Sequence, residues 1–163
     1  VLKKSTFMSV VFLVFLIACN NGGSDKATET VCDVQAVIDY LNGFATDSLT
    51  KENIKACTPN QVIQIYCRSL IMGDNVTYQN LHLHPVKKLD NYYGITDFTT
   101  SLDSESGEGI KTFRIAFDLE SNSGELFPKD SKRISLLCRL VFKSSCWQIE
   151  NIEYLNKEAE KVN

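Results

Sequence analysis

Residues 133–154 read RISLLCRLVFK SS CWQIENIEY, and they commit the chain to an antiparallel sheet. Ile134, Leu136, Cys138, Leu140 and Phe142 occupy every second position, so in an extended chain they share one face. Leu137 and Val141 add apolar side chains to the other face. The expectation is a central strand covered on both sides. Lys143-Ser144-Ser145 is too short a link for anything but a hairpin. The return strand carries Trp147, Ile149 and Ile152, and its alternation slips after Ile149, which predicts a bulge there.

Working upstream, Ile110 to Leu119 alternates cleanly. Phe113, Ile115, Phe117 and Leu119 face one way; Thr112, Arg114 and Asp118 face the other, the pattern of a sheet with one face on a core. Tyr92 to Leu102 has the Tyr, Ile, Phe and Thr content of a strand. Val76 to Leu83, stopped by Pro85, reads as a weaker one. Asp103 to Gly109 and Glu120 to Lys132 read as polar loops.

Before Asn75 the period is helical. Thr30 and Asp33 open a first helix in the manner of a capping box, with Val31, Val34, Val37, Ile38, Leu41 and Phe44 as its stripe and Gly43 as its stop. Thr50 starts a short helix over Lys51 to Ala56. Thr58 as N-cap, Pro59 at the first turn and Gln61 three places after the cap start a third, which Gly73 ends. Helices followed by antiparallel strands predict an α+β fold, with N-terminal helices on a curved antiparallel sheet of four to five strands. The domain is expected over residues 30–156, with a charged tail at 157–163.

The N-terminal segment has a different character. Lys3 and Lys4 precede an apolar run from Phe7 to Ala18, the order of a secretory leader. The run falls short of the roughly 20 residues that a membrane span needs. Leu16-Ile17-Ala18-Cys19 resembles the lipobox of bacterial lipoprotein precursors. The resemblance implies a leader over 1–18, lipid on the Cys19 thiol and a membrane-anchored product. Asn20 after the cysteine implies the outer membrane in that family. Several acyl chains hold far more firmly than one, since each buried methylene contributes about 0.8 kcal/mol. Residues 19–29, polar and Gly-containing, would be a flexible tether.

Composition narrows function further. Without Lys3 and Lys4 the chain has 15 basic against 20 acidic residues, a net of −5, and no basic run. Nucleic acid is a poor partner for such a surface. Cys32, Cys57, Cys67, Cys138 and Cys146 form no C-x-x-C pair, so no zinc ribbon or thioredoxin-like motif is signalled. Beyond the inner membrane they are free to oxidise, and one or two structural disulfides are expected.

The helices, the meander and the closing Trp147-x-Ile149-x-x-Ile152 strand are similar to the nuclear transport factor 2 superfamily, including its small lipoproteins. That resemblance implies a cone-like fold with a pocket between sheet and helices. Some members are isomerases or dehydratases, and many are non-catalytic binding modules. On this chain Tyr92, Tyr93 and Asp97 are the nearest acid–base set, Tyr93 and Asp97 sharing strand parity. Asp97 on a wet face is the plainer reading. His82 and His84 would share a solvated strand face, with Leu81 and Leu83 inward; two imidazoles alone make no metal site. No cofactor motif is present. The reading is a non-catalytic envelope module held by membrane lipid through Cys19, whose partner is an envelope protein or a small apolar ligand. An isomerase or hydratase in the pocket is the first alternative. An inhibitor or immunity protein using loops 103–109 and 120–132 is the second.

Overall fold

The computed structural model describes residues 33–88, 94–120 and 133–155. Four helices precede four strands, an α+β arrangement. The predicted leader, tether and charged tail, the start of the first helix at Thr30 and most of the loop 120–132 lie outside the described residues.

The third helix was the best signalled, and its caps explain why. α3 (Pro59–Met72) starts with the reciprocal bonds of a capping box between Thr58 and Gln61. It stops at Gly73, whose φ of 66° is a left-handed conformation that glycine adopts without penalty. Val62, Ile63, Ile65, Tyr66, Cys67, Ser69 and Leu70 are all buried along it. α1 spans Val34–Asn42, with Asp33 itself as the N-cap, its carboxylate accepting from the Ala36 N–H. α2 spans Lys51–Lys55 under a Thr50–Asn53 capping box. The expected α1 stripe is only partly right. Val37 and Tyr40 are buried, whereas Val34, Ile38 and, most of all, Phe44 at 77% are exposed.

One expected strand is a helix. Residues 76–83 alternate in the sequence, yet Asn75–Leu81 is α4. Asp74 caps it, accepting from the N–H groups of Val76 and Thr77, and its buried face is Thr77, Tyr78 and Leu81, spaced one and three apart. A strong cap directly after the Gly73 stop outweighs a weak alternation.

The strands are β1 (Ile95–Glu105), β2 (Ile110–Leu119), β3 (Arg133–Lys143) and β4 (Cys146–Tyr154), paired antiparallel in sequence order. Tyr92, the expected start of β1, lies outside the described residues; the strand is described from Ile95 and runs through Asp103 to Glu105, leaving only a short turn before β2. β3 is central but covered on one face only. Ile134, Leu136, Cys138 and Leu140 are buried, whereas Leu137 and Val141 are half-buried on the open face and Phe142 is exposed. The bulge is where the sequence places it: Arg139 pairs with Asn151 and Leu140 with Ile149, so Glu150 is the extra residue. That one insertion keeps Ile149, Ile152 and Tyr154 turned toward the core side.

Rows across the sheet make the core. Phe113, Cys138 and Ile152 lie side by side, as do Ile115, Leu136 and Tyr154. Tyr66, Ile63 and Leu70 of α3 complete it, each at most 1% exposed. The two sheet edges differ. Beside β4, the Leu83 N–H donates to the Ile149 carbonyl at 2.9 Å. Beside β1, no further strand lies among the described residues. Bulges break the β1 register between Ile95 and Asp97 and between Leu102 and Ser104.

Candidate functional site

Gln64, Arg68 and Ile71 are spaced four and three apart on α3, so they share one helix face. That face overhangs the beginning of β1. Together with Leu41 of α1 and Thr96, Asp97 and Phe98 of β1 it lines an open cleft of about 400 Å³. Leu41, Ile71 and Phe98, each half-buried, are the apolar part of the lining. The polar part is one amide, one hydroxyl, one carboxylate and one guanidinium.

Three of these four polar groups have a local reason for their position. Arg68 Nε donates to the Leu41 carbonyl at 3.1 Å. This is one of the terminal carbonyls that α1 leaves without an intrahelical donor, and a cation beside it also favours the helix dipole. Gly43 turns the chain beside that carbonyl at φ 77°, a left-handed conformation that glycine adopts without penalty. Thr96 Oγ1 donates to the Asp118 carbonyl at 3.1 Å. Asp97 Oδ1 accepts from the adjacent Phe98 N–H at 2.7 Å. Asp97 is exposed. Its carboxylate therefore stands in water at the cleft rim, not in an enclosed apolar pocket. Tyr92 and Tyr93 lie outside the described residues, so the expected Tyr93–Asp97 set is represented by Asp97 alone.

The histidines do not share a solvated strand face. His84 is exposed, but His82 is 7% exposed at the end of α4. Its Nδ1–H donates to the Tyr78 carbonyl at 2.8 Å, and its ring packs 4.6 Å from the Tyr78 ring and 6.2 Å from that of Tyr66. Nε2 is buried with no hydrogen-bond partner. Burial outweighs the Tyr78 contact and lowers the imidazole pKa below 6.5. Among the described residues no group of three His, Cys, Asp or Glu side chains is placed to hold a metal.

On the other flank of α1 a second open cleft, about 380 Å³, runs past Asp33, Asp39, Asp47 and the exposed Phe44. The acidic loop 103–109 supplies no site of its own. Asp103 is paired with Arg114 at 2.9 Å and Glu105 with Lys111 at 2.6 Å, both across the β1–β2 pair.

Sequence reasoning missed Arg68, Gln64 and Ile71 as a group. The helical spacing was there to see, but the partner surface comes from β1, whose place beside α3 no local pattern announces. It also missed Asp74. That carboxylate accepts from the Tyr40 hydroxyl at 2.9 Å and the Ser48 hydroxyl at 2.7 Å while it caps α4. The signal that could have found it is an Asp directly after a Gly helix stop.

Comparison with known proteins returns no match: no family model, no curated protein and no solved structure matches this chain. Among the described residues no helix is long and apolar enough to cross a membrane.

Proposed function

We propose that this chain is a lipid-anchored envelope module that binds a partner without transforming it. The cleft between α3 and β1 is its contact surface, and an extended segment of an envelope protein is its partner. The observation that carries the reading is the packed interior. Tyr66, Ile63, Leu70, Phe117, Leu136 and Leu140 fill the space between helices and sheet where a cone pocket would lie. Concavity is displaced to the sheet margin, where half-exposed Leu41, Ile71 and Phe98 meet Arg68 and Asp97. A mixed apolar and charged lining of that kind suits a segment with one apolar anchor and flanking polar groups. An isomerase or hydratase would instead use a carboxylate enclosed with phenolic donors. The lipid anchor rests on Leu16-Ile17-Ala18-Cys19 and the run before it.

Site-specific photo-crosslinking in intact cells tests the reading. A crosslinker at Gln64 or Thr96 is expected to give one discrete adduct. The same group at Glu150, on the β4 bulge, should give none. The cleft adduct should vanish in Phe98→Asp, provided that variant keeps its melting temperature. Equal labelling from all three positions would overturn the cleft assignment. Labelled palmitate that fails to enter the wild-type chain, or still enters a Cys19→Ser variant, would overturn the anchor.

A further inference from the structure

Among the described residues one buried side-chain nitrogen has no hydrogen-bond partner, Nε2 of His82. His82 stands where α4 gives way to extended chain, at φ −89° and ψ 141°. There it forms a parallel bridge with Ile149 of β4. The next peptide N–H, that of Leu83, donates to the Ile149 carbonyl at 2.9 Å and lays the segment on the β4 edge. Beyond this bond burial falls away: Leu83 is half-buried, and His84 and Pro85 are exposed.

Among the described residues no charge of opposite sign meets the ring. Tyr78 of α4 and Tyr66 of α3 pack against it. Tyr66 in turn has Cys67, Cys138 of β3 and Tyr154 of β4 as titratable neighbours. These are phenols and thiols, which ordinarily hold their protons up to about pH 8. Burial pushes Tyr66, Cys67 and Cys138 higher still. The β4 carboxylates are turned away. Glu150 is exposed and paired with Arg139 at 3.0 Å, and Glu153 is exposed opposite Leu137 on the open face. On α2, which packs on both α4 and β4, Lys51, Glu52 and Lys55 are exposed. Asp74, at the far end of α4, is held by Tyr40 and Ser48. His84, Lys87 and Lys88 are exposed. An imidazolium in this box would satisfy one N–H on the Tyr78 carbonyl and bury the other without an acceptor.

We propose that His82 is the catch of an acid-released clasp: proton uptake at Nε2 drives the ring into water, and residues 82–84 leave the β4 edge while the sheet and α3 stay folded. The coupling is covalent. The peptide group between His82 and Leu83 carries the N–H that bonds Ile149, so swinging the ring outward rotates that donor off the carbonyl. With Leu83 half-buried and His84 exposed, little apolar burial opposes the movement. Acid favours the open form because only there does the imidazole recover its ordinary affinity for the proton. The open fraction rises by about tenfold for each pH unit below about 6.5, until the closed form itself begins to titrate. Opening stops short of unfolding, and it uncovers the margin of the sheet that Leu83 shields.

Native-state amide exchange on the full chain, followed by NMR from about pH 7.5 to about 5 with low urea added, reads the clasp at the bond concerned. After correction for the intrinsic rate, the Leu83 N–H is expected to lose about tenfold in protection per pH unit below about 6.5. It should not respond to low urea, because a local opening exposes little surface. The amides of Ile115 and Leu136 should be far better protected and should weaken with urea. His82→Asn should leave the Leu83 protection flat with pH, whereas His84→Asn should keep the wild-type response. Ring nitrogen shifts of the unsubstituted chain need no variant: His82 should titrate in step with the loss of protection. A ring that titrates while Leu83 keeps its protection would overturn the clasp, since side-chain rotation alone would then release the ring. Leu83 protection that follows urea as steeply as that of Ile115 at every pH would overturn it as well, because the segment would then open only with the whole domain. A pH response that survives in His82→Asn would assign the effect to another group and overturn the role of His82.

Discussion

Two side chains carry consequences out of proportion to their size. Asp74 ends one helix connection and begins another while holding Tyr40 and Ser48. Burial works against its ionisation, but the Thr77, Ser48 and Tyr40 hydroxyls and the Thr77 N–H outweigh it and keep the carboxyl below its usual 3.8. Asp74→Ala is expected to cost about 1–2 kcal/mol, the scale of a lost N-cap, with the additional loss of the Tyr40 tie pushing it to the upper end. Urea denaturation measures it. His82 sets a pH dependence whose sign follows from its burial. Its folded pKa lies below 6.5, so the unfolded chain takes the proton first. Its contribution to stability is complete above about pH 6.5 and declines as pH falls from there toward the lowered value. Asp74 acts in a separate window, its contribution present above about pH 3.8 and lost as acid carries the carboxyl through its depressed pKa. Asn in place of His82 keeps a donor for the Tyr78 carbonyl and cannot titrate. His82→Asn should therefore flatten the stability profile just below about pH 6.5 while leaving the more acidic loss intact. A profile unchanged in that window would remove His82 from the account.

At the scale of the element, the β3–β4 hairpin turns on Ser144 and Ser145, with φ of 52° and 62°. Two successive left-handed residues form the two-residue turn that matches strand twist, and both are L residues without glycine's freedom. Ser144→Asn with Ser145→Gly is expected to stabilise the domain by about 1 kcal/mol, seen as a higher melting temperature with an unchanged spectrum. The same hairpin shows what the sequence can reveal. Its strands, its short turn and the slip after Ile149 were all legible, because strand period, turn length and bulge are local matters. α3 was legible through Thr58, Pro59, Gln61 and Gly73 for the same reason. The failures lie where a local pattern was weak or a distant one ruled. Val76 with Tyr78, and Leu81 with Leu83, are each two positions apart and imitate a strand, while the Asp74 cap and the buried side chains of Tyr78 and Leu81 make a helix. Leu137 and Val141 promise a second covered face, yet nothing in their own segment supplies a layer to cover it. The cleft was illegible in the same sense, for Arg68 and Asp97 are far apart in sequence and meet only through the packing of α3 over β1.

Across the whole molecule, stability is concentrated beneath α3 and thins toward β1. Leu140→Ala removes a fully buried side chain between β2 and β4 and should cost about 2–5 kcal/mol. Leu102→Ala, at a position 49% exposed on β1, should stay within about 0.5 kcal/mol. Denaturation midpoints compare the two directly. Amide exchange should follow the same gradient, slowest in β2, β3 and α3 and fastest along β1. The unequal margins of the sheet give that gradient a direction. With Leu83 laid against β4 and only interrupted pairing available at β1, any accretion of foreign strands is one-ended. The two register breaks that flank Phe98 to Leu102 leave an intruder a stub of a few residues on which to zip, a brake on fibril seeding wherever copies of this chain are crowded together.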